Sequence, residues 1–213
     1  MARTMTGIPG TILPVVTVSA EEDAVELARA LAAGGVRAIE ITLRTPEAAA
    51  AIRAVAAEVP EITVGAGTVT DGRFARAACQ AGAAFLVSPG LSESVAAAAR
   101  SLAVPLIAGV ATGTELMRAV GMGLEVVKLF PAHLLGGAAA VDAFSAPFPG
   151  LSFVPSGGVD AANLADYLAR PAVGAVSGSW LVPRGPLDAD ALAEVTRRAA
   201  AATETVRRLR GDE

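Results

Sequence analysis

Eight times along this chain a short run rich in Val, Ile, Leu and Thr is followed by an alanine-rich stretch, and this alternation constrains the fold more than any other feature. The short runs span 12–18, 38–43, 63–68, 84–88, 106–110, 126–130, 152–155 and 175–179, and the clearest helical stretches are 21–33, 46–58, 72–81 and 112–121. Alternation of this kind places parallel strands inside and helices outside. Eight such units in 213 residues, with no break in composition, predict one (β/α)8 TIM-barrel domain over 1–213. The rival is a doubly wound open sheet, but no Gly-x-Gly-x-x-Gly fingerprint follows the first run. Ser19 ahead of Glu21 and Thr45 ahead of Pro46 signal helix starts, since a hydroxyl there can accept from unpaired backbone N–H groups.

A barrel gathers its chemistry at the carboxyl ends of its strands, and the unusual segments of this chain fall there. The one lysine, Lys128, lies in the apolar run Val126-Val127-Lys128-Leu129-Phe130-Pro131. Lysines normally sit where the ammonium is hydrated. Burial disfavours the charged form and moves the group toward a neutral, nucleophilic amine, which makes Lys128 a candidate to attack a substrate carbonyl as a Schiff base. The alternative is a lysine paired with a carboxylate or reaching outward from a strand end. On the second run, a period of two places Glu40, Thr42 and Arg44 on one face and Ile41 and Leu43 on the other. A carboxylate and a guanidinium then point into the barrel mouth, either as working groups or as a buried ion pair. The third run ends Gly65-Ala66-Gly67-Thr68, small residues followed by a hydroxyl, and the fourth ends Ser88-Pro89-Gly90, ordinary turn chemistry.

The last two runs end Pro155-Ser156-Gly157-Gly158 and Ser177-Gly178-Ser179-Trp180. Glycine lets backbone N–H groups close on an anion, and serine adds a donor. Two such segments at these strand ends predict a phosphate pocket. His133 follows Pro131 by two residues and reads as a solvated loop imidazole, Phe130 and Trp180 as packing aromatics, and the basic stretch 206–210 as the solvated end of the last helix.

Composition removes other classes of function. Hydrophobic residues make up 53% and charged residues 18%, which excludes disorder, and the net charge of −4 with scattered arginines provides no basic face for nucleic acid or anionic lipid. The expected ligand is small. Cys79 is the only cysteine, so no internal disulfide can form, and His133 is the only histidine, which rules out a His-rich metal site. No apolar stretch approaches the roughly 20 residues of a membrane span, and residues 1–10 lack a signal-peptide core. A soluble cytoplasmic protein without metal or cofactor is expected.

Taken in order, Gly34-Gly35-Val36-Arg37, Glu40-Ile41-Thr42-Leu43-Arg44-Thr45, Gly65-Ala66-Gly67-Thr68-Val69, Ser88-Pro89-Gly90-Leu91, Lys128-Leu129-Phe130-Pro131-Ala132 and Gly178-Ser179-Trp180-Leu181-Val182-Pro183 resemble the 2-keto-3-deoxy-6-phosphogluconate aldolase family of class I pyruvate aldolases. The resemblance covers nearly the whole chain. It implies a Schiff base on Lys128, Glu40 as general acid and base, Arg44 and Thr68 on the pyruvyl carboxylate, and Gly157, Gly158 and Ser179 on the phosphate. It further implies cleavage of a phosphorylated 2-keto-3-deoxy sugar acid to pyruvate and glyceraldehyde 3-phosphate, action on 4-hydroxy-2-oxoglutarate, and a homotrimer. Ser156 stands where members carry Thr, a position tied to stereoselectivity between the gluconate and galactonate epimers, and His133 where relatives often carry Glu. The short stretch before the first strand implies that the amino-terminal helix closing the barrel floor in relatives is reduced or absent. Other functions for such a barrel are a metal-dependent aldolase, a phosphosugar isomerase or epimerase, and a non-catalytic phosphate-binding protein.

Overall fold

The computed structural model describes residues 7–183 and 185–211, so the segment bearing on an amino-terminal helix lies largely outside the described residues. Strands β1 (Ile12–Val16), β2 (Ala38–Thr42), β3 (Thr63–Gly67), β4 (Leu86–Ser88), β5 (Leu106–Val110), β6 (Val126–Leu129), β7 (Ser152–Pro155) and β8 (Val176–Gly178) alternate with helices. The helices are α1 (Glu21–Ala33), α2 (Ala48–Glu58), α3 (Gly72–Gln80), α4 (Glu93–Leu102), α5 (Gly113–Gly121), α6 (Ala138–Ser145), α7 (Leu164–Leu168) and α8 (Ala189–Arg210). Adjacent strands pair in parallel in the order β7-β6-β5-β4-β3-β2-β1-β8. A bridge from Ser156 to Ser177 joins the two ends of that order, which closes the sheet into the expected (β/α)8 barrel.

Two apolar cores follow from the alternation of side chains along each strand. Outward residues such as Ile39, Ile41, Val127, Leu129 and Phe153 pack under helix residues such as Leu27, Leu31 and Ile52. Inward residues Leu13, Ala38, Phe85, Ile107, Val126 and Val154, with Ile8 ahead of β1, form a separate plug inside the barrel. Each fully buried Leu, Ile or Phe contributes about 1.5–3 kcal/mol, so these layers dominate stability. Gly65 is glycine because the Phe85 ring fills the space above it: a Cβ there would lie 2.3 Å from Phe85 Cε2.

Helix starts depart from two of the sequence signals. The residue flanking α1 is Ala20, with no side-chain cap, and Glu21, Glu22 and Asp23 in the first turn complement the helix dipole in place of Ser19. Thr45 does not cap α2, which begins after Glu47; its hydroxyl donates to the Val18 carbonyl 2.8 Å away and ties the loop after β2 to the loop after β1. Side-chain caps do form at α3, where Asp71 accepts from the backbone N–H groups of Arg73 and Phe74, and at α5, where Thr112 accepts from Glu115. The bond from Phe74 is the largest influence holding the Asp71 carboxyl below its ordinary range.

The end of α8 is also not simply solvated. Val206 is buried, and Arg210 turns back to donate to the carbonyls of Leu168, Val173 and Gly174, at the end of α7 and the approach to β8.

Candidate active site

Strand parity carries Glu40 and Lys128 into the barrel from β2 and β6, on opposite sides of the closed sheet, just above the apolar plug. Lys128 Nζ lies 3.3 Å from Glu40 Oε2 and 3.4 Å from Oε1. Their side chains are 8% and 2% exposed, so this is a buried ion pair at the base of the mouth. An isolated charge there would cost several kcal/mol, and each group offsets the other's desolvation. The Phe130 ring lies over the amine, 5.4 Å from its centroid to Nζ. Glu40 therefore takes Lys128 as its partner and not Arg44, which corrects the ion pair that the spacing along β2 had suggested. Of the two readings of Lys128, the structure shows the carboxylate-paired one, with the amine at the cavity.

Room for that carboxylate is made by β3. A Cβ on Gly67 would lie 2.2 Å from Glu40 Oε1, so only glycine fits beside it. The next residue, Thr68, has φ of 59°, a conformation that β-branched residues rarely adopt and that is costly unless the surroundings impose it. Thr68 Oγ1 accepts from Arg44 Nε at 3.1 Å, which joins a hydroxyl and an exposed guanidinium at the rim. Thr42, fully buried above Glu40, shares a 2.7 Å hydrogen bond with Thr17 at the end of β1.

The other end of the mouth is built by β7 and β8. Ser156 is buried, and its hydroxyl donates to the Ser177 hydroxyl at 3.5 Å. Gly157 and Gly158 follow with φ of 85° and 82°, the left-handed region open to glycine. The loop after β6 braces this turn, because Ala132 N–H donates to Ser156 O at 2.7 Å and His133 N–H to Gly157 O at 3.0 Å. A Cβ on Gly158 would strike His133 Cβ at 2.4 Å, so His133 supports the turn through its backbone while its side chain is exposed. Ser179 is exposed at the end of β8.

One cavity of about 650 Å³ is lined by all eight of the residues singled out from the sequence: Lys128, Glu40, Arg44, Thr68, Ser156, Gly157, Gly158 and Ser179. It also reaches Thr17, Pro89, Phe130, Trp180 and Arg198. Pro89 belongs to the segment read as ordinary turn chemistry; a Cβ on Gly109 would lie 2.2 Å from its carbonyl oxygen, so the β4 loop folds directly onto β5. Phe130 and Trp180 pack and line the cavity at once. Arg198, on α8, carries no signal in the sequence, because an arginine in a helix reads as an outward side chain. Among the described residues no cluster of His, Cys, Asp and Glu is placed to hold a metal ion, and no helix is long and apolar enough to cross a membrane.

A closed eight-stranded barrel with an amine and a carboxylate opposed in its mouth, a guanidinium at one rim and a glycine–serine cradle at the other, defines a class of small barrel enzymes that act on carbonyl compounds. The match to known proteins narrows that class. A model of the family "KDPG and KHG aldolase" matches residues 7–198. The 2-dehydro-3-deoxy-phosphogluconate aldolase of Pseudomonas aeruginosa is 48% identical over 193 residues, covering 91% of this chain and 88% of that one. The KHG/KDPG aldolase of Escherichia coli is 46% identical over 195 residues, covering 92% of each. Among solved structures, a KDPG aldolase from Legionella pneumophila, with pyruvate captured as a covalent carbinolamine intermediate, superposes with a TM-score of 0.86 at 38% identity and covers 90% of this chain and 93% of that one. The chain belongs to the KDPG and KHG aldolase family.

Proposed function

We propose that this protein is a class I aldehyde-lyase that cleaves 2-dehydro-3-deoxy-6-phosphogluconate to pyruvate and glyceraldehyde 3-phosphate, with Lys128 as the Schiff-base residue. The observation that carries the reading is the buried Lys128–Glu40 pair facing the cavity, in a chain whose relatives bear that activity in their names. Breaking C3–C4 of a 2-keto-3-deoxy acid leaves an electron pair on C3, and an iminium at C2 accepts that pair as an enamine. The Lys128 amine adds to the C2 carbonyl, and the resulting carbinolamine loses water to form the iminium. Removal of the C4 hydroxyl proton then releases the aldehyde. The enamine takes a proton at C3, and water returns the amine and frees pyruvate.

Glu40 is the group placed to move these protons. It sits against Nζ, and general acid–base help of this kind is worth about 10²–10⁴ in rate. Arg44 and Thr68 hold the carboxylate, which fixes C2 over the amine, and Gly157, Gly158 and Ser179 hold the phosphate. Ser156 lies between these ends, where it faces the C4 hydroxyl and sets the preference between gluconate and galactonate epimers. The same machinery acts on 4-hydroxy-2-oxoglutarate to give pyruvate and glyoxylate. We further assign the protein to the cytoplasm as a homotrimer, by analogy with the family.

Borohydride reduction in the presence of pyruvate tests the reading. One reduced pyruvyl group per chain should appear on the Lys128 peptide with loss of activity. An unmodified Lys128 peptide would end the Schiff-base assignment, and turnover that stops on adding a chelator would favour a metal-dependent aldolase.

A further inference from the structure

We infer that Arg198 supplies the positive charge of the phosphate end of the cavity and positions the loop that carries Ser179. The inference rests on the aldolase reading for its substrate, a sugar acid with an anion at each end. Among the described residues three cationic side chains line the cavity: Lys128, Arg44 and Arg198. Lys128 is engaged by Glu40 at the base, and Arg44 is bonded to Thr68 at the rim beyond β2 and β3. At the opposite end, Gly157, Gly158 and Ser179 are neutral donors, and a phosphate bearing about two charges gains most from donors that are themselves charged. Arg198 is the cation that α8 brings there.

Its geometry is specific. Nη1 donates to the carbonyl of Trp180, one residue beyond Ser179, at 2.9 Å, and Nε bonds Glu194 Oε1 at 2.5 Å. Glu194 also pairs with Arg197, so two guanidinium groups share one carboxylate. Among the described residues Nη2 has no acceptor. The first two bonds fix the plane of the guanidinium, and the third nitrogen remains to donate toward an anion held by the Ser179 turn. The Arg198 side chain is 38% exposed, so its replacement leaves both apolar cores intact.

The sole tryptophan, Trp180, sits in this turn and lines the cavity, which gives a readout independent of turnover. Inorganic phosphate titrated into the full chain should change Trp180 fluorescence saturably, and Arg198→Gln, which keeps a donor toward Glu194 and removes the charge, should weaken that binding roughly ten- to a hundredfold. Arg198→Lys keeps the charge and should fall between. In parallel, Arg198→Gln should lower kcat/KM for the phosphorylated substrate by a similar factor while leaving 4-hydroxy-2-oxoglutarate almost unaffected. Equal phosphate affinity in wild type and Arg198→Gln, no phosphate response in wild type, or an unchanged ratio of the two efficiencies would each overturn the inference. Phosphate binding that depends on Arg198 in a protein without aldol cleavage would instead overturn the proposed function and leave this inference standing.

Discussion

Lys128 and Glu40 reach each other from opposite sides of the barrel, 3.3 Å apart, and neither has another hydrogen-bond partner among the described side chains. Each is therefore the other's compensation for burial. Lys128→Met leaves a buried carboxylate alone and should cost about 3–5 kcal/mol, whereas adding Glu40→Gln to that variant should recover most of the loss. Thermal unfolding of the two single variants and the double variant measures this coupling; additive losses would show that the pair contributes nothing as a pair.

On the catalytic side, Glu40→Gln keeps the shape of the side chain and removes proton transfer. Turnover should fall by ~10² or more with a modest change in KM. Near-normal turnover would return Glu40 to a purely structural partner of Lys128.

Gly67→Ala tests the space reserved for the carboxylate. The added methyl would lie 2.2 Å from Glu40 Oε1, so Glu40 must move. The change should cost about 1–3 kcal/mol and reduce turnover sharply. Gly113→Ala is the control, because a Cβ there meets open space. Its activity should match wild type.

Thr68→Asn addresses backbone strain. Asparagine accepts a left-handed conformation more readily than a β-branched residue, so the variant should gain about 1 kcal/mol, a rise of roughly 2–4 °C in Tm. The hydroxyl that meets Arg44 Nε is lost, and KM should rise for every substrate, phosphorylated or not. A gain in stability with unchanged KM would remove Thr68 from carboxylate binding.

Ser179→Asp places a negative charge against the proposed phosphate. Efficiency should fall for the phosphorylated substrate and hold for the unphosphorylated one. Ser156→Thr restores the common family residue and should shift the ratio of efficiencies on the gluconate and galactonate epimers without changing pyruvate adduct formation. An unchanged ratio would take Ser156 out of the stereochemical account.

Most of the barrel was legible because each strand was a short apolar run bounded by turn residues, and because parity alone sends Glu40 and Thr42 inward. What parity cannot show is which strand lies across the barrel. The sequence therefore offered Arg44, two positions beyond Thr42, as the neighbour of Glu40, whereas closure of the sheet brings Lys128 to it from β6. The hydroxyls of Ser19 and Thr45 matched a capping pattern, yet α1 starts on its acidic first turn and Thr45 is drawn to the Val18 carbonyl. Arg198 and Arg210 were hidden for one reason: a helix that wraps the barrel decides which of its polar side chains meet loop carbonyls, and that depends on docking, not on local spacing.

The apolar plug beneath Lys128 also governs traffic. With Leu13, Phe85, Ile107 and Val154 filling the barrel below the amine, the described residues leave the mouth above Arg44 and Ser179 as the doorway for substrate, water and both products. On the proposed mechanism, cleavage frees the aldehyde while pyruvate is still bonded to Lys128 at the bottom. Departure then has an order: the aldehyde leaves first, and the water that releases pyruvate enters by the path the aldehyde has vacated. A slowly leaving aldehyde would keep that path closed to water, hold the enamine in place and favour the reverse reaction, re-formation of the carbon–carbon bond with that same aldehyde.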